Sequence, residues 1–450
     1  MSKKIAQMPP AEYGAWKRAW ECYSADPAWR EGFLADPAGQ LSVFPEISDV
    51  YAAFKAIGMV RGETVRDRSN PYYDEFMRRY EAVGAVLEEG FREERFADKR
   101  LFRWNRMTLR RARVEKREMM VVEHIRYFPL VFELSDGCRE QCPFCGLSAP
   151  PHRGDFLATP ENRRLWREVL AASREMLGDV AGEGCCYLAT EPLNNPDYEK
   201  LLADFHDLLG RYPQTTTVLA AKHPARIRAL MAQMGKERMR LAAMRFSVRS
   251  LSEFHRIMAE YTPEELADVE LLLNNVESVA AYSDSGRARE LSLPQEKLRH
   301  CYSISCVAGF RVNMARRSVA FVEPELPSDA CPTGVRTHAE EKFADAGEYR
   351  RILRDFSVRF ARDVLPEDTP FRLNSRVTVE AREDMMVFHG DAVSLRLGGN
   401  VHFREAVRRL AKGAATLPEI FRELGIGAFV GADVRQKLNL LYQKGYLQLL

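Results

Sequence analysis

No apolar run in this chain of 450 residues is long enough to cross a bilayer, and Met1-Ser2-Lys3-Lys4-Ile5-Ala6-Gln7 has no hydrophobic signal core behind it. No membrane partner is therefore expected, and the protein is placed in the cytoplasm. An excess of one charge is also missing, since Lys+Arg 66 against Asp+Glu 64 leaves a net charge of +2. That balance argues against a sequence-independent nucleic-acid binder. The local basic run from Arg103 to Arg117 reads as a solvated helix face, with docking of an acidic partner as the alternative. Hydrophobic residues make up 46%, enough to fill the cores of two or three domains.

The most informative shortage is of a fourth cysteine. Cys138, Cys142 and Cys145 stand on one tight run, Asp136-Gly137-Cys138-Arg139-Glu140-Gln141-Cys142-Pro143-Phe144-Cys145-Gly146, with no further cysteine nearby. A closed zinc site wants four protein ligands, and so does an electron-transfer 4Fe-4S cluster. Three thiolates leave one iron open for a substrate or cofactor. The alternative is a zinc knuckle that borrows a distant cysteine or histidine. Nine cysteines, an odd count, fit a reducing compartment in which thiols stay free.

Turn signals and helical spacing, such as Phe76, Tyr80, Val83 and Leu87, predict a helical domain over residues 1–114. From 115 to 345, short apolar runs alternate with amphipathic stretches, the pattern of repeated β-α units. Strands are expected at Leu130 to Leu134, Cys186 to Ala189, Thr215 to Leu219, Met244 to Val248, Val269 to Leu273 and Ile304 to Val307. The fold class predicted is α/β, a partial (β/α)6 barrel with the cysteine loop after its first strand, at the end where barrels carry their chemistry. Residues 346–450 read as a linker helix and then three short strands, Arg376 to Glu380, Met385 to Phe388 and Val393 to Leu397. A capping box at Thr416-Leu417-Pro418-Glu419, helices and a closing strand follow, suggesting a small winged-helix unit.

The three-then-two spacing, with an aromatic just before the last cysteine, resembles the signature of radical S-adenosylmethionine (SAM) enzymes. The resemblance implies a 4Fe-4S cluster and SAM as cofactors, with SAM chelating the open iron and a reductant such as flavodoxin or ferredoxin supplying the electron. Ala189-Thr190-Glu191-Pro192 resembles the family's Gly-Gly-Glu-Pro motif, which implies that Thr190 and Glu191 line SAM, Glu191 accepting from its amino group. The resemblance also implies SAM contacts for Ser247, at the end of the fourth expected strand, and for Phe144, with Arg249 or Arg256 able to pair the SAM carboxylate. Cys185 and Cys186 read as packing thiols.

Phe132 to Cys138, Phe144 to Ala149, Cys186 to Tyr198 and Gly309-Phe310-Arg311-Val312-Asn313-Met314 together resemble the radical SAM peptide epimerases of proteusin-type pathways. These act on ribosomally made precursor peptides. The resemblance implies abstraction of an α-hydrogen from an L-residue and its return by a thiol on the opposite face. Where that family pattern places its donor cysteine, this chain has Glu325, so Cys331 is the expected substitute, ahead of Cys306 and Cys301. The end domain resembles a leader-peptide recognition element, which adds the leader as an edge strand. The alternatives are another radical peptide modification, radical chemistry on a free small molecule, or an iron-sulfur regulator that binds DNA through the winged helix.

Overall fold

The computed structural model describes residues 8–115, 126–291, 305–383 and 385–450, with the backbone of 298–299. The expectations for Met1 to Gln7, Lys116, Arg117, Cys301 and Ile304 lie outside the described residues.

Five helices open the chain: Pro10–Ala25, Pro27–Ala35, Pro37–Leu41, Val50–Arg61 and Pro71–Gly90. Proline at the first turn needs no intrahelical N–H partner, and Asp26, Asp36 and Asn70 cap the backbone donors that follow. Their apolar faces close on Trp16, Tyr72 and Phe33 as a core of their own. The next helix, Lys99–Glu115, belongs instead to the main core, where Trp104 lies 4.9 Å from Phe321 between ring centroids.

The architecture is mixed α/β. Phe128–Glu133 is the reference strand, and Val307–Asn313 pairs with it in parallel on one side. On the other side a single bridge joins Val131 to Cys185 and another joins Cys185 to Gln214. The parallel strands Thr215–Thr217, Met244–Val248 and Val269–Leu273 continue in that direction. Ser318–Pro324 and Val335–Lys342 extend the first side antiparallel. Among the described residues the strands do not close into a barrel.

Three strand expectations are corrected. The expected strand Cys186 to Ala189 shrinks to the bridge at Cys185, because the chain bends away where Ala189 N donates to the buried Glu133 carboxylate (3.0 Å). Thr215 to Leu219 ends at Thr217, where the backbone N–H of Val218 turns to Glu191 (2.9 Å). The last expected strand begins at Val307 and lies beside the first strand, held there by its hairpin with Ser318–Pro324.

One face of the array packs on Pro160–Leu177 and Tyr198–Leu209, with Trp166 edge-on to Phe132 at 4.7 Å. The opposite face carries a small separate core of Val131, Cys185, Tyr187, Val307, Ala320 and Val322. This alternation of buried residues to both faces is what a two-sided parallel sheet requires.

At the carboxyl end Thr378–Ala381, Met385–His389 and Ser394–Gly398 form an antiparallel sheet within two residues of the expected strands. The capping box at Thr416 and Glu419 is formed in both directions, and Gly425 leaves its helix at a φ of 61°. Ala428–Gln443 follows, and Leu447–Leu449 returns to pair with Phe371–Leu373.

Candidate functional site

The cysteine loop leaves the carboxyl end of the strand Phe128–Glu133, as the sequence predicts. It has no regular structure of its own, so other residues fix it. Gln141 takes the left-handed conformation (φ 43°), which is unfavourable for a side chain with a Cβ. The strain is offset by three donations from its amide: to the carbonyls of Cys138 (2.7 Å), Pro150 (3.1 Å) and Ala149 (3.2 Å). Arg287 grips the other side, donating to Cys142 O (3.0 Å) and Ala149 O (2.9 Å), while its backbone N–H donates to Cys145 O (3.0 Å). Only glycine fits at Gly286, where a Cβ would sit 2.5 Å from the Cys145 carbonyl oxygen. Gly137 is likewise confined, with φ 76° and a would-be Cβ 2.3 Å from Pro151 O.

The three thiols are half-buried and lie within electrostatic reach of one another. Burial raises the Cys142 thiol to about 12, the nearby Arg249 guanidinium pulling it back and Cys138 and Cys145 adding to the rise. Burial also raises Cys138, against donated backbone N–H groups of Glu140 and Gln141. Among the described residues no set of three His, Cys, Asp or Glu side chains converges tightly enough to hold a metal ion. The donors themselves, three soft sulfurs on one clamped loop, are of the kind that iron–sulfur clusters and zinc both take.

Glu191 comes from the segment after Cys185 and acts electrostatically on Cys138. Its carboxylate is only 4% exposed and accepts from Thr217 Oγ1 (2.6 Å), Val218 N (2.9 Å) and Leu193 N (3.1 Å). Burial dominates over those bonds and raises its pKa to about 7, with Glu140 contributing. No cation pairs with it in the described residues. Arg249 closes the other flank, bonded to Glu140 of the loop (2.9 Å) and to Glu253 (2.8 Å). Of the two candidate arginines, Arg249 thus reaches the loop, whereas Arg256 is exposed on the helix Leu251–Glu260.

Ser247 is half-buried on the same face of its strand as Arg245; Thr190 and Phe144 are half-buried in the bends around the loop. Cys331 sits on a hairpin whose base is Glu325 N to Gly334 O (2.9 Å). Its tip is tied to the segment that clamps the loop: Gly286 N donates to Pro332 O (2.8 Å) and Arg289 reaches Ser328 O (3.1 Å) and Asp329 (3.0 Å). Burial and the charge of Glu325 raise the Cys331 thiol. Glu325 itself is engaged by Gln448 (3.1 Å) and Arg336 (3.6 Å). Cys185 and Cys186 are fully buried, and burial raises both thiols.

Sequence reasoning does not single out Gln141, Gly286 and Arg287. Gln141 is visible inside the cysteine run, but nothing in the local pattern marks residues 286 and 287 as its clamp. A separate cleft of about 790 Å³ lies between the N-terminal helices and Val269–Leu273, lined by Trp20, Phe76 and Tyr80 among others and by none of the loop cysteines.

No family model matches the chain, and no solved structure matches it. Among curated proteins it is similar to the uncharacterized protein y4wI of Sinorhizobium fredii, with 35% identity over 270 residues, 55% of this chain and 52% of that protein. The chain thus spans about half the length of that relative.

Proposed function

We propose that the chain is a radical SAM enzyme that modifies a ribosomally made precursor peptide, with L-to-D epimerisation as the reaction. The observation that carries the reading is the juxtaposition of the three-cysteine loop with an uncompensated buried carboxylate, Glu191, and a flanking guanidinium, Arg249, at one end of a parallel array. The parallel pairings of Phe128–Glu133 with Val307–Asn313 and of Thr215–Thr217, Met244–Val248 and Val269–Leu273 support the reading of a partial (β/α) barrel.

A 4Fe-4S cluster and SAM, when bound, supply a 5′-deoxyadenosyl radical from SAM and one electron from an acidic carrier such as flavodoxin or ferredoxin. Cys138, Cys142 and Cys145 would hold the cluster, and the clamped loop backbone spares it reorganisation. Glu191 accepts from the amino group of SAM, and a cationic ligand there would relieve the cost of burying an unpaired carboxylate. Thr190, Ser247 and Phe144 line the same end. Cys331 returns hydrogen to the peptide α-carbon. Its raised pKa keeps the sulfur protonated, which a hydrogen-atom donor requires.

The end domain supports a peptide partner. Each outer strand of the sheet 378–398 pairs on one side only among the described residues, leaving edges to which an extended leader could add. In the helix Ala428–Gln443, Arg435 and Lys437 are paired with Glu367 and Asp433, so a winged-helix groove reader is disfavoured. The engaged Glu325 at the family's donor position favours a second reading, a crosslink or decarboxylation that needs no thiol.

The test is anaerobic reconstitution with iron and sulfide, then SAM, dithionite and the precursor peptide in deuterated water. Formation of 5′-deoxyadenosine with a one-unit mass gain at a D-residue is expected, and Cys331→Ala should abolish that gain. A zinc-loaded protein, or a cluster whose spectrum ignores SAM, would sink the assignment. Loss of two mass units or of carbon dioxide would move it to the second reading.

A further inference from the structure

The helix Lys99–Glu115 sorts its cations into two kinds. Three of its six arginines have carboxylate partners within the chain: Arg100 pairs with Asp98 (3.5 Å), Arg103 with Asp363, and Arg111 with Glu323 (3.2 Å) and Glu115 (3.8 Å). Arg106, Arg110 and Arg113 are different. They recur at i, i+4 and i+7, which places them on one stripe of the helix. None has a carboxylate partner among the described residues, and Arg110 donates only to the carbonyl of Gln443 (3.4 Å). Arg110 is exposed and the other two are half-exposed.

Like charges at this spacing destabilise a helix, and here the repulsion registers. Burial and then the charges of Arg106 and Arg113 lower the pKa of Arg110. Arg126, just before the first strand of the array, is lowered by burial and by the same two arginines, with Glu88 opposing them. A stripe of three mutually repelling guanidinium groups, on a helix whose other three arginines are paired, calls for an external anion.

Its location indicates which anion. The last turn of the helix abuts the end domain: Asp391 N donates to Val114 O (2.7 Å), in the turn between the second and third strands of the sheet 378–398, and Gly445 packs against the Arg111 backbone. The helix that carries the stripe thus ends against the sheet whose edges are proposed to take the peptide. A rise of about 10 Å over seven helical residues suits carboxylates of a short peptide segment.

We propose that Arg106, Arg110 and Arg113 form a docking strip for an acidic stretch of the peptide that this protein binds. This rests on the reading of a peptide partner given above. It assigns the basic run to recognition, and it separates recognition from the cysteine loop.

The test uses the full-length protein and fluorescence anisotropy with a fluorescein-labelled peptide of alternating glutamate and glycine, a lysine counterpart and a duplex DNA of similar charge. The glutamate peptide should bind and the lysine peptide should not. Binding should weaken as salt rises from about 50 to about 300 mM. The triple variant Arg106→Gln, Arg110→Gln, Arg113→Gln should lose about tenfold in affinity or more, and the corresponding lysine variant should recover most of it. An unchanged melting temperature shows that the glutamine variant is folded. Equal affinity of the glutamine variant, or DNA binding through these arginines as tight as the peptide's, would overturn the proposal. The assay uses the protein without cluster or SAM, so a failure here is distinguishable from a failure of the radical SAM reading, which the reconstituted protein tests.

Discussion

Two buried carboxylates, Glu191 beside the cysteine loop and Glu323 at the junction with the helix Lys99–Glu115, meet opposite fates in the same protein. Both are almost wholly withdrawn from water, at 4% and 7% exposed. Burial pushes both up, yet Arg111, His338 and Arg336 pull Glu323 down to about 2, whereas Glu191 has only hydrogen bonds to lean on and ends near 7. Glu323 is therefore a complete structural unit, its charge balanced by Arg336 and by Arg111, which ties a helix to a sheet edge. Glu191 is incomplete. The missing countercharge is what the cationic group of the proposed ligand would supply.

That contrast breaks most sharply at the loop itself. Replacing Cys138, Cys142 and Cys145 together with alanine should abolish cluster absorbance and all 5′-deoxyadenosine formation, while the melting temperature, set by the three hydrophobic cores and by junctions like that of Glu323, stays within a few degrees. A matching loss of stability would mean that the loop is a structural staple. Glu191→Gln comes next: SAM-dependent 5′-deoxyadenosine formation should fall by about a hundredfold, the scale of one lost charge-assisted contact. Full activity in that variant would remove Glu191 from SAM recognition. Glu323→Gln should spare SAM binding and instead destabilise the fold by roughly 3 kcal/mol, because the buried Arg111 loses the closer of its two carboxylates and keeps only Glu115 at 3.8 Å. Chemical denaturation measures this directly, and a loss below about 1 kcal/mol would show that Arg111 finds another partner.

How far the sequence announces this arrangement depends on the range of the interaction. Met244–Val248 and Val269–Leu273 match the expected strands end to end, since the first alternates apolar with polar residues and the second is apolar but for Glu270, local patterns that carry their own signal. The capping box at Thr416 is local and reads equally well. Pairing order is not local. Nothing in Val307–Asn313 says that it lies beside Phe128–Glu133 and not at the far edge, and the helix Lys99–Glu115 shows an apolar face without saying which core covers it. The cysteine loop is legible because three thiols at fixed spacing have few other uses. Its clamp is not, since Arg287 is one arginine among many and acts across more than a hundred residues. Glu191 is legible as a carboxylate, but its lack of a countercharge emerges only once the neighbours are in place.

The smallest effect separates the two carboxylates by pH. For Glu323, the folded pKa of about 2 lies below the ordinary value of 4.5, so its stabilisation is present above pH 4.5 and is lost as pH falls from there toward 2. For Glu191, the folded value of about 7 lies above 4.5, so the native state holds the extra proton and stability declines as pH rises from about 4.5 to about 7. The decline should not exceed about 3 kcal/mol, since a tenfold difference in proton affinity between the folded and unfolded chain is worth roughly 1.4 kcal/mol. Urea unfolding of the cluster-free protein at stepped pH should therefore give two limbs of opposite slope. Glu191→Gln should flatten the limb between pH 5 and pH 7 and leave the acid limb, and Glu323→Gln should do the reverse. A neutral limb that survives in Glu191→Gln would mean that Glu191 is already ionised in the folded protein. In that case a cation or water inside the fold stabilises its charge, and the pull toward an external ligand disappears.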